Sequence, residues 1–187
     1  GAAITASGAI TNTGAVLLST TAGKHGNLTA QTVDNQAAGA IQSAGNLTVG
    51  ITGTQLSNAG KIIAAGDLGI QATGSNVAVI NKINAYLQAG GTLSLSKANL
   101  ASLDNQAGAS VLSNAFNMDV TTLANGGVLE GGAGASSLSV AGTLNNTGTL
   151  TLATSGVGSG TVTADTLDNA GLLQSQGAAN LNIATQF

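Results

Sequence analysis

Residues 33–49 read VDNQAAGAIQSAGNLTV, and this stretch decides the fold. An aliphatic residue stands two places before Asn35, a glycine follows at Gly39, and aliphatic and polar residues then alternate up to Val49. Alternation with a period of two is typical of β-strands, and glycine and asparagine between short runs are typical of turns. The stretch therefore predicts short strands joined by tight corners.

The same pattern recurs along the whole chain. Asparagines of this kind follow one another at spacings of 23, 23, 23, 24, 20, 21 and 23 residues, each with an aliphatic residue two places before it and a Gly or Ala shortly after it. We call these eight residues the anchor asparagines: Asn12, Asn35, Asn58, Asn81, Asn105, Asn125, Asn146 and Asn169. Self-similarity at a fixed period of this size is the signature of a repeat architecture.

Two further columns accompany the anchors. An aliphatic residue stands two places beyond each Gly or Ala except at Ser110, where Val111 can take the role after a shift of one residue. An aliphatic–polar–aliphatic triplet follows, as in Leu28-Thr29-Ala30, Leu47-Thr48-Val49, Leu68-Gly69-Ile70, Leu93-Ser94-Leu95, Met118-Asp119-Val120, Leu138-Ser139-Val140 and Val162-Thr163-Ala164. The middle residues Thr29, Thr48, Ser94, Ser139 and Thr163 are expected to form one solvated polar column.

The length of the repeat selects the fold. About 23 residues are too few for a strand and a crossover helix, which need roughly 30 or more. The chain is instead expected to wind into coils whose equivalent strands pair in parallel, so that stacking buries the aliphatic residues. We predict an all-β, right-handed parallel β-helix (β-solenoid) of about eight coils, in one domain over residues 1–187. The hand follows the bias of parallel connections.

The regular spacing of asparagine and glycine along the chain suggests a role for each residue type. We expect the anchor asparagines at turns, where asparagine tolerates left-handed backbone geometry, with their amides hydrogen bonded from coil to coil. The glycines are expected to supply positive φ angles at the corners. Residues 74–85, 109–117, 131–137 and 154–160 depart from the pattern and are expected to bulge, with 131–137 as a surface loop.

Composition excludes several classes of function. Charged residues make up 6% of the chain and aromatic residues 2%, and Pro, Cys, Trp and Arg are absent. The lack of proline fits strands that are paired on both sides. A net charge of −3 without a lysine cluster gives no footprint for nucleic acid, and the apolar runs fall far short of the roughly 20 residues of a membrane span. We expect neither a nucleic-acid partner nor a membrane span.

The titratable residues predict no active site. Asp34, Asp104 and Asp168 each precede an anchor asparagine, but Asp34 and Asp104 fall three coils apart. At about 4.8 Å per coil that is roughly 14 Å, whereas paired catalytic carboxylates lie about 5–9.5 Å apart. His25 is the single histidine, and a metal site needs three or four ligands. We expect no catalytic residue, cofactor or metal and no enzymatic activity; a polysaccharide-degrading β-helix enzyme is the least favoured alternative.

Aromatic residues offer one route to a binding surface. Tyr86 and Phe116 both fall in irregular coils and could contact a receptor or glycan if they were exposed. Burial of both as fillers of the core is the favoured interpretation. The alternative hypothesis is that the bulged coils between residues 74 and 137 are themselves a receptor- or glycan-binding module.

Residues 33–49, 56–68 (LSNAGKIIAAGDL) and 167–175 (LDNAGLLQS) resemble the repeats of filamentous haemagglutinins. These are exoproteins of bacterial two-partner secretion, and they include adhesins and contact-dependent growth inhibition effectors. Their right-handed β-helical stalks carry a receptor-binding tip or a C-terminal toxin. The resemblance covers essentially the whole chain and implies a stalk segment that is secreted to the bacterial cell surface.

The resemblance also implies partners. An outer-membrane two-partner secretion transporter would act on regions outside this chain, and a receptor on a host or neighbouring cell would meet the functional end. The secretion domain of the family carries an Asn-Pro motif, whereas this chain has no proline. We therefore expect the chain to be a fragment of a longer exoprotein.

Overall fold

The structure is a computed structural model that describes residues 1–96 and 99–185. The described part is all-β, and its strands form one continuous sheet wound as a solenoid. The strands are β1 (Ala3–Thr5), β2 (Ala9–Asn12), β3 (Ala15–Ser19), β4 (Gly26–Asn35), β5 (Ala40–Ser43), β6 (Leu47–Asn58), β7 (Lys61–Ala64), β8 (Leu68–Ala72), β9 (Val77–Asn81), β10 (Tyr86–Leu95), β11 (Leu100–Asn105), β12 (Ser110–Val120), β13 (Thr122–Asn125), β14 (Val128–Gly131), β15 (Ala135–Asn146), β16 (Thr149–Thr151), β17 (Ser159–Asn169), β18 (Leu172–Gln174) and β19 (Ala178–Thr185).

The coils have three faces. The first face is made by β1, β8, β19 and the matching parts of the longer strands, the second by segments that end at an anchor asparagine, and the third by segments such as β3, β5 and β7. Each strand pairs in parallel with the equivalent strands of the coils before and after it. About eight coils of roughly 23 residues result, with β19 beginning a further turn, which confirms the predicted solenoid.

The register follows the anchor column. Every anchor asparagine pairs with the next one along the chain, from Asn12 with Asn35 to Asn146 with Asn169. Val111 pairs with Leu87 on one side and with Leu129 on the other. The shift of one residue that the sequence suggested at Ser110 is therefore confirmed.

The triplet column was misaligned at two junctions. Leu28 pairs with Val49 rather than with Leu47, and Leu95 pairs with Met118, so both alignments were wrong by two residues. A shift of two residues keeps each side chain on the same face of the sheet, so the inward and outward assignments survive. The five polar residues do not form one column, because Thr48 aligns with Gly69 and Ser94, Thr29 with Gly50, and Ser139 with Thr163.

Three of the four segments expected to bulge are more regular than predicted, whereas residues 152–158 form a loop between β16 and β17, as expected for the segment 154–160. Residues 109–117 lie mostly within β12, and residues 77–81 of the first segment form β9. The expected surface loop at 131–137 shrinks to residues 132–134, between β14 and β15, and Ser136 is buried. Backbone pairing with the neighbouring coils therefore continues through stretches where the side-chain pattern is weak.

One core runs along the axis of the solenoid. Inward side chains alternate with outward ones along each strand, and Leu56, Leu87 and Leu144 are fully buried. The aliphatic residues of all three faces join a single cluster from Leu18 to Ala164. Since a single coil encloses too little apolar surface to be stable, the stacking of coils stabilises the fold.

The corner glycines serve a purpose other than the predicted one. Among the described residues only Gly23 and Gly108 are glycines with positive φ. A Cβ placed on Gly60 would instead lie 2.1 Å from the carbonyl oxygen of Gly39 in the preceding coil. Glycine is therefore needed here because backbones of successive coils approach closely, and the prediction of positive φ was wrong for most corners.

Gly60→Ala is expected to destabilise the solenoid. The added methyl group meets a backbone oxygen that is fixed by the stacking, so we expect a loss of about 1–3 kcal/mol in the free energy of unfolding. Chemical unfolding followed by circular dichroism measures this loss. Gly14→Ala is the matched control, since no atom lies within 4 Å of the added Cβ, and its stability should change by no more than about 0.5 kcal/mol. Equal losses in both variants would contradict the close-approach explanation.

Candidate functional site

The anchor asparagines end the strands of the second face, and all of them except Asn169 are buried. Asn35, Asn58, Asn81, Asn105 and Asn146 are fully buried. Among the described residues, only Asn76 and Asn84 combine a side chain with positive φ, and neither is an anchor. The anchors therefore have extended backbones, and the expected left-handed geometry was wrong.

The anchor side chains form a continuous hydrogen-bonded ladder. Each Nδ2 donates to the Oδ1 of the anchor in the next coil, at 2.7–2.9 Å over all seven steps. The Nδ2 groups of the central anchors also donate to the carbonyl oxygen that begins the third face of the next coil, as from Asn81 to Ser110 at 3.0 Å. Every amide-to-amide hydrogen bond of the ladder is therefore donated to the following coil, toward the C-terminal end of the solenoid.

This ladder is structural in character. Both hydrogens of each central amide have partners, and its oxygen accepts from the preceding amide. A buried amide must be satisfied in this way, because an unpaired buried polar group costs about 1–3 kcal/mol. The ladder therefore fixes the register of every coil against the next, and it leaves no reactive group free for chemistry.

Phe116 is not a surface contact. Its side chain is 0% exposed, and it lies opposite Leu93 in the core of the first face. Its backbone N–H donates to the buried Ser136 Oγ at 3.3 Å. Phe116 occupies an inward position of β12. The hypothesis that it is an exposed contact for a receptor is therefore wrong.

Tyr86 lies on the outside of the third face and is 39% exposed. It stands directly beside Lys61 of the preceding coil, and with Ile63 and Gln88 these residues line a cavity of about 180 Å³. We call these four residues the Tyr86 surface. An aromatic ring flanked by an amine and an amide can stack on an apolar face of a ligand while its neighbours donate hydrogen bonds.

The acidic residues stay apart. The register runs from Asp34 through Ser57 and Ile80 to Asp104, which places the two carboxylates three coils apart, as predicted. Asp34 accepts a hydrogen bond from Gln36 Nε2. Within residues 1–96 and 99–185, no three His, Cys, Asp or Glu side chains are grouped so that they could hold a metal ion.

A second concave region lies on the first face, and sequence reasoning missed it. It is an open depression of about 290 Å³, and the residues that line it include Gly69, His25, Thr48, Asp67, Gln71 and Ser94. We call it the Gly69 depression. The exposed His25 contributes its Nε2, which lies 2.8 Å from Thr48 Oγ1. The available signal was the glycine itself, which interrupts a column of polar side chains.

The corner next to the depression is held by side chains. Asn46 Oδ1 accepts from the backbone N–H of Asp67 at 2.9 Å, and Asp67 Oδ1 accepts from the N–H of Thr92 at 2.8 Å. Each bond joins one coil to the next. The walls of the depression are therefore fixed by the solenoid backbone.

No family model, curated protein or solved structure matches this chain. The described residues include no helix with the length and apolar character needed to cross a membrane.

Proposed function

We propose that the chain is a structural stalk segment of a secreted bacterial cell-surface exoprotein, either an adhesin or a contact-dependent growth inhibition effector. The observation that carries the proposal is the unbroken parallel stacking of coils, reinforced by an asparagine ladder with a step in every coil. Each coil extends the rod by about 4.8 Å, so eight coils span roughly 40 Å. The segment projects a functional tip or toxin away from the cell.

The resemblance of residues 33–49, 56–68 and 167–175 to filamentous haemagglutinin repeats supports the cellular setting of this proposal. In that setting the chain is exported by an outer-membrane two-partner secretion transporter and meets a receptor on a host or neighbouring cell through its functional end. The role is mechanical rather than enzymatic. The wide separation of Asp34 and Asp104 supports that choice, because a carboxylate pair needs a much shorter distance.

Removal of one coil tests the stalk role. Deletion of residues 36–58 from the full-length exoprotein joins Asn35 to Ala59 and keeps the ladder in phase, because the two anchors lie 23 residues apart. We expect the shortened protein to fold, to reach the cell surface and to keep the adhesive or toxic activity of its end. Circular dichroism, surface labelling and a target-cell assay measure these three properties.

A matched deletion separates the stalk from a binding module. Deletion of residues 82–105 also removes one coil, but it takes Tyr86 with it. A stalk predicts the same activity for both deletion variants. Loss of target-cell binding in the second variant alone would contradict the passive role.

The second candidate function is receptor or glycan binding by the segment itself. The exposure of Tyr86 beside Lys61 and Gln88 favours it. If this surface binds the target cell, Tyr86→Ala should reduce cell binding at least about tenfold, since an aromatic anchor contributes about 2 kcal/mol or more at an interface. Tyr86→Phe keeps the ring and serves as the control. Unchanged cell binding by Tyr86→Ala would eliminate this candidate.

A further inference from the structure

Gly69 has no role that the fold can explain. Its φ lies outside the left-handed region, and the one atom near an added Cβ is Thr48 Oγ1 at 3.8 Å, an ordinary contact distance. The corner glycine Gly66 differs, since its Cβ would lie 2.1 Å from Asn46 Oδ1. A glycine inside a strand weakens that strand, and where the fold does not need it, it marks a place where another molecule approaches the backbone.

The missing side chain opens a gap of defined size. Thr48 and Ser94 pair directly with Gly69 from the coils on either side. Their backbones are therefore two coil spacings apart, about 10 Å, with the backbone of Gly69 as the floor between them. The volume of this open depression, about 290 Å³, is just below the roughly 300–1,000 Å³ typical of ligand sites, so it suits a small ligand.

The groups around the gap are polar and of mixed type. Hydroxyl groups come from Thr48 and Ser94, and an amide comes from Gln71. Asp67 uses Oδ1 to hold the N–H of Thr92, and its second oxygen has no hydrogen-bond partner among the described residues. Donors and acceptors thus surround a floor of bare backbone.

This chemistry selects one class of ligand. The carboxylate of Asp67 disfavours an anion, and the single nearby His25 does not provide a metal site. The leucines that border the region, Leu47 and Leu68, are fully buried, so the region offers no exposed aliphatic side chain to an apolar ligand. A small neutral molecule with many hydroxyl groups can use both the donors and the acceptors.

We propose that the Gly69 depression is a binding subsite for one neutral saccharide unit, whose hydroxyl groups bond Thr48, Ser94, Gln71 and Asp67 above the backbone of Gly69. This subsite lies on the first face and is distinct from the Tyr86 surface on the third face. It does not depend on the stalk role, because a rod with or without a saccharide subsite can carry a functional end.

Nuclear magnetic resonance on the labelled chain tests the proposal, with glucose, galactose, mannose and N-acetylglucosamine as the probes. We expect at least one sugar to give saturable shifts confined to the amides of the depression, with a dissociation constant on the order of 1 mM. Gly69→Val fills the floor and should weaken that binding at least about tenfold without lowering the melting temperature, since valine suits a strand and its Cβ makes only an ordinary contact, with Thr48 Oγ1 at 3.8 Å.

Two control variants sharpen the result. Ser137→Val changes the same outward column three coils from Gly69 and should bind the sugar as the original chain does. Tyr86→Ala should also leave the sugar shifts unchanged, which separates this subsite from the Tyr86 surface. The proposal is overturned if no sugar gives saturable shifts, if the shifts spread over all polar faces, or if Gly69→Val binds normally.

Discussion

Leu56→Asp is expected to unfold the middle of the solenoid. Leu56 is fully buried and lies between Val33 and Val79 of the adjacent coils. An aspartate at this position would have only these apolar neighbours above and below it. Because a buried charge without a partner is costly, the carboxylate must either take up a proton or force the coils apart. We expect a loss of about 4 kcal/mol or more in the free energy of unfolding. Thermal melting followed by circular dichroism measures it, and Leu144→Asp should behave in the same way.

The same substitution on the outside is the control for this prediction. Thr48 points away from the core, with its hydroxyl group 2.8 Å from His25 Nε2. Thr48→Asp should therefore change stability by no more than about 0.5 kcal/mol. If Thr48→Asp melted far below Leu56→Asp, the assignment of inward and outward positions would be wrong.

Asn81→Leu is expected to have the second largest effect. The substitution keeps a similar volume but removes two of the seven steps of the ladder, those from Asn58 to Asn81 and from Asn81 to Asn105. It leaves Asn105 Oδ1 and the carbonyl oxygen of Ser110 without their donor, and it takes one acceptor from Asn58 Nδ2. Each buried group that loses its partner costs about 1–3 kcal/mol, so we expect a total loss of about 3 kcal/mol or more. Chemical denaturation measures that loss.

An exposed asparagine provides the comparison. Asn117 lies on the outside of the first face, and Asn117→Leu should change the free energy of unfolding by no more than about 0.5 kcal/mol. Similar losses for Asn81→Leu and Asn117→Leu would show that the ladder contributes nothing specific. Such a result would remove the main reason for treating the anchor column as a stiffening element.

The repeat predicted most of the fold because two patterns agree in it. The period of two sets which side chains face inward, and the recurrence of the anchors sets the length of a coil. Those two quantities define a parallel solenoid, and even the shift at Val111 could be read from its aliphatic character. The triplet alignment failed at Leu28 and Leu95, because a shift of two residues leaves an alternating pattern unchanged.

The purposes of individual residues were harder to predict from the sequence. Gly60 was expected to bend the chain, whereas it makes room for the carbonyl oxygen of Gly39. That contact joins residues of different coils, so no local rule reveals it. The difference between Tyr86 and Phe116 also depends on register. Both are aromatic residues in stretches where the sequence pattern is weak, and Tyr86 faces outward whereas Phe116 faces the core.

The Tyr86 surface and the Gly69 depression were the features least predictable from the sequence. The Gly69 depression exists because residues from four successive coils stand side by side, and its floor is the backbone of Gly69, which carries no side chain. A glycine within an alternating run gives a signal, but the same signal accompanies every close backbone contact. The contrast between Gly69 and Gly66 appears only when the space around each Cβ is known.

The ladder joins residues only 20 to 24 positions apart, wherever along the axis they lie. The mean sequence separation of contacting residues is therefore set by the length of one turn. The relative contact order, which is that separation divided by the chain length, falls as turns are added. Closing each new turn carries a nearly constant entropic cost, since that cost depends on the length of the loop being closed. A finished turn offers its exposed edge as a template for the next, so folding can advance turn by turn from one end of the chain to the other.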